Sequence, residues 1–192
     1  MTKRPLAHFT LFPTPLGDCG IAWCGDTVIA TRLPGRNAAD TAGRLAARTG
    51  AIYREPPPAI HNAIASITAL LEGARTDLSF ITCDFTRIDP FAAKVYVATR
   101  AIPAGETLSY GAIAVQIGDK QLAQDVGKAL GRNPFPIVVP CHRVIGANGK
   151  LTGFSAHGGV ATKLRMLAIE GARIGAAAER FGDLPLVVKP RG

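Results

Sequence analysis

Two short helical patterns separated by one glycine turn constrain the fold of this 192-residue chain more than any other feature. In the first pattern, Ser109 is in position to cap the helix, and an apolar stripe follows it. Gly118 ends this pattern, and Asp119 can cap the second one, KQLAQDVGKAL. Two short helices joined in this way form a helix-turn-helix candidate. Many helix pairs of this kind do not bind DNA, so the pattern alone leaves the function open.

The chain around this helix pair predicts a domain boundary and a second pair of strands. A new unit begins near residue 87, where DPFAAKVYVATRAI has a helical apolar face and then meets a turn at residues 103–105. After the paired helices, HRVIGANGKLTGF predicts two strands around an Asn148-Gly149 turn. A helix-turn-helix followed by a hairpin predicts a winged-helix-like layout. The last helical pattern is GGVATKLRMLAIEG.

The first 86 residues predict a smaller α/β unit. Its predicted elements are strands at residues 19–24, 27–33 and 78–85 and helices at residues 38–50 and 55–73. The two first strands flank a Gly-Asp pair, which is typical of a hairpin. We therefore expect domains at 1–86 and 87–175. The tail at 176–192 carries no pattern of a functional site.

Charge and composition narrow the class of partner. The formal net charge is +8 and the pI is about 9.7, which favours anionic partners such as nucleic acid or a membrane surface. Hydrophobic residues make up 47% of the chain, which is enough for a core. The N-terminus lacks the long apolar stretch of a signal peptide, and no apolar run approaches the roughly 20 residues that span a bilayer. We expect a soluble, cytoplasmic protein with reduced thiols and no membrane partner.

The stretch NPFPIVVPCHRVIG, residues 133–146, places a thiol, an imidazole and a guanidinium side by side in apolar surroundings. A reactive cysteine needs its thiolate stabilised by positive charge or by a hydrogen-bond donor. Successive side chains on a strand point to opposite faces, so direct contact between Cys141 and His142 requires a local bend. Pro140 is placed to produce that bend, and a water bridge is the other arrangement.

Two other uses of Cys141 and His142 fit the sequence less well. A cysteine protease usually takes its histidine from a distant segment, for which His8, His61 and His157 remain. Adjacent Cys and His residues are poorly spaced as metal ligands, and no second close pair supports a metal site. We therefore predict no bound metal.

The motif PCHRVIG, with GRNPFPIVVP before it and GGVATKLRMLAIEGA after it, resembles the O6-alkylguanine-DNA alkyltransferase family, also called methylated-DNA–protein-cysteine methyltransferases. The run IPAGETLSYGAIAVQIG is similar to the start of that family's helix-turn-helix. The match spans roughly residues 87–171, and TPLGDCGIAW more weakly resembles the start of the N-terminal domain. The resemblance implies an RNase H-like α/β N-terminal domain. It also implies a mainly α, winged-helix-like C-terminal domain with a helix-turn-helix.

The resemblance further implies a single-turnover repair reaction. A monomer binds double-stranded DNA through the minor groove and flips an alkylated guanine into a pocket. The alkyl group then moves from guanine O6 to a cysteine, and O4-alkylthymine is a further substrate. No thiol reductant reverses the thioether product, so each molecule acts once, and no cofactor takes part.

The site residues follow from the resemblance, position by position. Cys141 matches the alkyl acceptor, His142 the histidine that deprotonates it through a water, and Glu170 the carboxylate that orients the histidine. Asn133 matches an asparagine that ties the recognition helix to the active-site segment, and Tyr110 a tyrosine that can donate to the leaving guanine. The matched substrate- and DNA-binding residues are Ala123, Gln124, Gly127, Arg143, Val144, Ser155 and Lys163. On residue type alone, Glu170 is expected at the surface.

The recognition helix departs from the family pattern. Where the family has an arginine that fills the gap left by the flipped base, this chain has Gln124. The outward face, which also holds Gln121, Asp125 and Lys128, is nearly neutral. We therefore expect weaker support for base flipping in duplex DNA. The pocket loop SAHGG is longer than the family's compact form, and its His157 is expected to be an exposed loop residue.

Two alternatives to repair remain open. An alkyltransferase-like protein would bind the lesion without removing it, although such proteins typically replace the cysteine that Cys141 supplies. A cysteine hydrolase would need a spaced set of His and Asn partners, which the sequence lacks. Some eukaryotic members of the family bind a structural zinc, but Ile29 stands where a histidine ligand would be required, so we predict no zinc.

Overall fold

The computed structural model describes residues 6–151, 153–174 and 179–180, and its first half contains a four-stranded mixed sheet. The strands are β1 (His8–Phe12), β2 (Cys19–Cys24), β3 (Thr27–Arg32) and β4 (Ile52–Tyr53), in the order β3-β2-β1-β4. The first three pair antiparallel, and β4 runs parallel to β1. The hairpin predicted from residues 19–33 is thus confirmed.

Two helices of the first half follow the predicted signals. Helix α1 (Ala38–Thr49) begins after Asn37, whose side chain accepts from the Asp40 N–H, and it ends at Gly50 with a φ of 67°. A left-handed φ suits glycine because it has no Cβ. Helix α2 (Pro58–Leu71) begins at a proline, which is tolerated in the first helical turn. Its buried face packs into the core.

The second half is mainly helical. Its elements are α3 (Pro90–Arg100), β5 (Leu108–Ser109), α4 (Tyr110–Gln116), α5 (Ala123–Gly131), β6 (Val144–Ile145), α6 (Val160–Ile169), β7 (Arg173–Ile174) and β8 (Glu179–Arg180). The Ser109 hydroxyl caps α4 by accepting from the Ala112 N–H at 3.0 Å, as the sequence predicts. Asp119 caps a 3₁₀ turn at Lys120–Leu122, so α5 begins at Ala123 and not at Lys120.

Two predicted strand regions are wrong. Residues 78–85 form turns and bends, with a single bridge from Cys83 to Val28. The predicted hairpin around Asn148-Gly149 is absent among the described residues, because β6 pairs in parallel with β5 and residues 147–149 form a 3₁₀ turn. The predicted tail at 176–192 lies outside the described residues, apart from the backbone of β8.

One hydrophobic core joins the two halves of the chain. It contains Trp23 and Ile67 from the first half and Tyr96, Leu130 and Phe135 from the second, each at most 5% exposed. Burial of one such side chain contributes about 1.5–3 kcal/mol to folding. The active-site segment described next therefore rests on elements from both halves.

Candidate active site and DNA-binding surface

A proline-rich loop at residues 133–140 carries Cys141 to its position. Asn133 ties the loop together, because its Nδ2 donates to the Val139 carbonyl at 2.9 Å and its Oδ1 accepts from the Phe135 N–H at 2.8 Å. Ile137 has a φ of 77° although it is β-branched and 1% exposed. Such a conformation costs about 1–3 kcal/mol and persists only where the surroundings enforce it. The loop is therefore held by its contacts against its own local preference.

Strand β3 holds the same loop from the first half of the chain. Thr31 donates its backbone N–H to the Pro134 carbonyl at 2.9 Å and its hydroxyl to the Pro136 carbonyl at 2.6 Å. Thr31 is only 5% exposed, so water competes little for these hydrogen bonds. The position of Cys141 thus depends on contacts between the two halves.

Cys141, His142 and Arg143 lie on one 3₁₀ turn and not on a strand. Three residues per turn send three successive side chains in different directions. Cys141 is half-buried and lines a cavity of about 350 Å³, whereas His142 and Arg143 are 0% and 6% exposed. Pro140 immediately precedes the turn, so the chain bends at the residue where the sequence predicts a bend.

Glu170 accepts hydrogen bonds from both buried side chains of this turn. Its Oε1 lies 2.9 Å from His142 Nε2 and 2.8 Å from Arg143 Nη2, and its Oε2 lies 2.9 Å from Arg143 Nε. Arg143 also donates from Nη1 to the Ile102 carbonyl at 2.6 Å. The Glu170 side chain is only 3% exposed, so the surface position expected from its residue type is wrong. We call His142, Glu170 and Arg143 the relay cluster.

The charges of the relay cluster follow from burial and pairing. Burial raises the pKa of Glu170, but the hydrogen bonds and charges of His142 and Arg143 outweigh it and lower that pKa to about 2. Burial lowers the pKa of His142 more strongly than Glu170 raises it, so the imidazole is neutral at pH 7. A neutral ring that donates from Nε2 to Glu170 keeps a basic lone pair on Nδ1. Among the described residues, Nδ1 has no hydrogen-bond partner although it is buried.

The Cys141 thiol is protonated in the resting protein. Burial raises the pKa of this thiol, while a hydrogen bond from Asn133, the charge of Lys163 and the backbone N–H groups of Cys141 and His142 act to lower it. The effect of burial is the largest, so the pKa of the Cys141 thiol lies above its ordinary value. Attack by sulfur therefore requires a base that removes the proton, and a set of donors for the thiolate is already in place.

Lys163 lies inside the protein beside the reactive segment. It is 0% exposed, and its Nζ donates to the Val144 carbonyl at 2.5 Å and lies 5.8 Å from the centre of the Tyr110 ring. Burial lowers the pKa of Lys163, and the Cys141 thiolate raises it. The resemblance assigns Lys163 and Arg143 to substrate or DNA binding, but both are buried. Neither side chain lies on the exposed face of the recognition helix.

The exposed face of α5 carries few net charges. Gln124 is exposed, and the neighbouring Lys128 is paired with Asp125 through an Nζ–Oδ1 distance of 2.8 Å. Gly127 lies against α4, because a methyl group there would contact the Tyr110 ring at 3.8 Å. Ala123 is half-buried beside Gln124. The helix thus presents a small, nearly neutral surface around Gln124.

The cavity that Cys141 lines has a second wall from the first half of the chain. One side includes Asn133, Pro136, Ser155 and His157, and the exposed His157 is as predicted. The other side consists of residues that sequence reasoning missed, namely Thr31, Arg32, Leu33, Pro34, Gly35, Asp40, Arg44 and Arg48. No local motif marks them, because only the packing of β3 and α1 against the loop brings them here. A larger groove of about 1000 Å³ does not include Cys141.

The described part of the chain lacks two structural features, a membrane-spanning helix and a cluster of metal ligands. No helix there is both long and apolar enough to cross a membrane. No three His, Cys, Asp or Glu side chains in that part are grouped as a metal ion would require.

Comparisons with known proteins point in one direction. Residues 90–172 match the family model described as the 6-O-methylguanine DNA methyltransferase DNA-binding domain. A protein of Mycolicibacterium paratuberculosis named methylated-DNA–protein-cysteine methyltransferase is 47% identical over 123 residues, which cover 64% of this chain and 71% of that protein.

Solved structures agree with this match. The crystal structure of Mycobacterium tuberculosis O6-methylguanine methyltransferase aligns with a TM-score of 0.72 at 36% identity, covering 89% of this chain and 96% of the other. Mycobacterium tuberculosis OGT in complex with DNA aligns with a TM-score of 0.66 at 34% identity, covering 85% and 92%. The similarity extends over both halves of the chain.

Proposed function

Because this chain belongs to the methylated-DNA–protein-cysteine methyltransferase family, we propose that it repairs DNA by moving an alkyl group from O6-alkylguanine to its own Cys141. O4-alkylthymine is a second substrate in this proposal. The observation that carries it is the position of Cys141 in a cavity directly after the proline loop and next to the buried relay cluster. Lesion binding without repair is not favoured, because the thiol is present and relatives are named methyltransferases.

The transfer needs one base and one proton donor. His142 takes the thiol proton at Nδ1 through a bridging water, and Glu170 stabilises the resulting imidazolium through Nε2. Sulfur then forms a bond to the alkyl carbon as the bond from that carbon to guanine O6 breaks. The electron pair of the broken bond stays on guanine, which takes up one proton from the Tyr110 hydroxyl. Tyr110 regains its proton from solvent, and the His142 imidazolium releases the thiol proton to solvent.

The product explains the single turnover. A thioether has no good leaving group on sulfur, so water and thiols do not remove the alkyl group from Cys141. The protein needs no cofactor because the cysteine supplies both the nucleophile and the final acceptor. Each molecule is therefore consumed by one lesion.

The flipped base occupies the cavity between the proline loop and residues 154–157. The Val144 carbonyl contacts the guanine edge, and it already accepts from Lys163, which orients it. Ser155 lies on the loop that closes over the base. The buried ammonium of Lys163 also favours the Cys141 thiolate electrostatically, which gives this residue a role at the reacting atoms and not on DNA phosphates.

DNA binding uses the helix pair α4 and α5, with α5 in the minor groove of the duplex. The small residues Ala123 and Gly127 support this placement because they let the backbone approach the groove closely. The strand order β3-β2-β1-β4, with β4 parallel to β1, supports an RNase H-like first half. The second half keeps a winged-helix-like plan in which the parallel pair β5–β6 stands in place of a hairpin. A cytoplasmic monomer with domains at 1–86 and 87–175 completes the proposal.

The proposal is tested by mass spectrometry of the intact protein after reaction with O6-methylguanine in DNA. We expect a mass increase of one methyl group per molecule, with no further turnover. Peptide mapping after reaction with O6-benzylguanine should place the benzyl group on Cys141 and not on Cys19, Cys24 or Cys83. DNA binding with no mass increase would select the lesion-binding alternative, and catalytic turnover would select a hydrolase.

Gln124 predicts a specific weakness on duplex DNA. Flipping a base costs a few kcal/mol, least in single strands or at a mismatch, and an uncharged side chain compensates less of it than an arginine. We expect slower transfer from duplex than from single-stranded DNA, and Gln124→Arg should raise the duplex rate by about tenfold. Single-turnover rates on free O6-benzylguanine, single strand and duplex measure this.

The matched control for this prediction is Gln121→Arg, which adds the same charge at an exposed position three residues before Gln124, on the 3₁₀ turn that precedes α5. It should raise duplex binding only through charge and should not remove the single-strand advantage. If parent and Gln124→Arg react equally fast on duplex, and the parent shows no single-strand advantage, Gln124 is sufficient as it stands or Lys128 fills the gap.

A further inference from the structure

The second wall of the reaction cavity is basic. Arg32, Arg44 and Arg48 line it from β3 and α1, with Asp40 as the acidic residue of that wall. These residues lie in the half of the chain that the DNA-binding family model does not cover. They share the cavity with Cys141, so a substrate bound in this cavity lies close to both the wall and the thiol.

The single carboxylate of the wall is already engaged. Asp40 accepts from the Arg36 backbone N–H, pairs with Arg44 Nε at 2.9 Å and with the exposed Arg36 at 3.4 Å. These contacts lower the pKa of Asp40 to about 2, so it stays ionised. Arg48 donates from Nη2 to the Arg132 carbonyl at 3.2 Å. The positive charge of the wall therefore exceeds its negative charge.

Arg32 has a hydrogen-bond donor without a partner among the described residues. Its Nε is buried and has no hydrogen-bond partner among the described residues, which is rare for a charged donor. Burial and the nearby charges of Arg44 and Arg48 lower the pKa of Arg32. Three guanidinium groups that line one cavity with a single carboxylate between them are typical of a site that receives an anion.

We propose that Arg32, Arg44 and Arg48 form an anion-binding wall that holds a phosphate or carboxylate group of the substrate while Cys141 reacts. This inference rests on the proposed function and adds to it a determinant of substrate preference from the first half of the chain. The anion is either a phosphodiester next to the flipped nucleotide or a carboxylate carried by the alkyl group itself. In both cases a planar guanidinium fork receives two oxygen atoms of the same group.

The experiment compares transfer rates for neutral and anionic probes. The neutral probe is O6-benzylguanine. The phosphate arm uses the 5′- and 3′-monophosphates of O6-benzyl-2′-deoxyguanosine, with the uncharged nucleoside as reference, and the carboxylate arm uses O6-(4-carboxybenzyl)guanine. We expect the parent to prefer an anionic probe over its neutral counterpart by about tenfold, and Arg32→Gln to reduce that ratio to near one.

Two further variants make the test specific. Arg48→Gln should lower the ratio in the same direction, and it covers the case in which Arg32→Gln does not fold. Arg36→Gln is the matched control, because it removes an equal charge from a residue that contacts Asp40 but is not part of the cavity lining. It should leave the ratio unchanged.

The outcomes separate the sources of the anion. If the wall variants lower the anionic-to-neutral rate ratio only for the phosphate probes, the wall binds the DNA backbone. If they lower it only for the carboxylate probe, the wall binds the alkyl group. Equal ratios in the parent and in both wall variants, or an equal loss in Arg36→Gln, would overturn the proposal.

A binding measurement keeps this test apart from the proposed function. Calorimetry with unreactive 2′-deoxyguanosine 5′- and 3′-monophosphates should show Kd values about tenfold higher for Arg32→Gln than for the parent or Arg36→Gln. If O6-benzylguanine fails to modify Cys141, the proposed function fails. The nucleotide Kd values still decide the phosphate form of the wall, and unchanged values reject it.

Discussion

Replacing Cys141 with alanine is expected to abolish alkyl transfer while leaving the affinity for DNA within about threefold of the parent. The reason is that Cys141 combines access to the cavity with a neighbouring base. Cys19 is fully buried, and burial raises its pKa to about 12. Burial also raises the pKa of Cys83 to about 11. Only Cys141 lines the cavity beside His142 and among donors for its thiolate.

Single-turnover kinetics with O6-benzylguanine and with O6-methylguanine duplex, together with a DNA-binding titration, measure this effect. Cys83→Ala is the matched control, because it removes a thiol of similar burial away from the cavity and should transfer at the parent rate. Transfer in Cys141→Ala at more than background rate, with the group mapped to Cys24, would contradict the assignment of the acceptor.

The helix pair could be predicted because its signals are local. Ser109 and Asp119 each bond to a backbone N–H within three residues, so the capping geometry depends on adjacent sequence alone. The same holds for Gly50, whose left-handed φ ends α1 at the predicted place. Such features survive in any tertiary context that permits the helix.

The failures concern strand partners, which lie far away in sequence. The run at 78–85 has β-forming residues, but only Cys83 finds a neighbouring strand, at Val28. Asn148-Gly149 is typical of a hairpin turn. Instead, β6 pairs with β5, which is about 35 residues earlier in the chain. A propensity for extended backbone does not determine which strand the segment will pair with.

The candidate site also has local features that the sequence predicts and long-range contacts that it does not. Cys141 and His142 are adjacent and were identifiable from sequence, although a strand would have placed them on opposite faces. The ion pair of Arg143 with Glu170, and the arginines on the far wall, result from packing between distant elements. Residue type alone favours a surface position for Glu170, and it was the family resemblance that assigned it to orient the histidine.

Replacing Glu170 with glutamine is expected to lower the free energy of unfolding by about 3–5 kcal/mol, because it leaves the Arg143 guanidinium buried without a counter-charge. It should also slow transfer at pH 7 by on the order of a hundredfold, since an imidazolium without a carboxylate partner is less stable and His142 becomes a weaker base. The pH profile of the rate should move to higher pH, because a Cys141 thiol whose pKa is raised by burial loses its proton only at higher pH when His142 assists it less.

The pH dependence of stability provides a second measure of the same pair. The pKa of Glu170 falls from 4.5 to about 2 on folding, so its stabilisation is complete above pH 4.5 and is lost as the pH falls through 2. His142 is held neutral by burial, so its contribution is lost as the pH falls below 6.5, where the unfolded histidine takes up a proton. Glu170→Gln should remove the loss of stability near pH 2 and keep the loss of stability below pH 6.5. Denaturant titrations between pH 7 and pH 2 measure both.

Two controls separate the structural role of Glu170 from its role in transfer. Asp125→Asn breaks the exposed pair with Lys128, and it should change stability by less than about 1 kcal/mol and leave the pH profile of the rate unchanged. In the double variant Arg143→Met with Glu170→Gln, the unpaired charge is gone, so most of the stability should return. The slow rate and the shifted profile should remain, because His142 still lacks its carboxylate. Recovery of the rate together with stability would show that Glu170 only supports the fold.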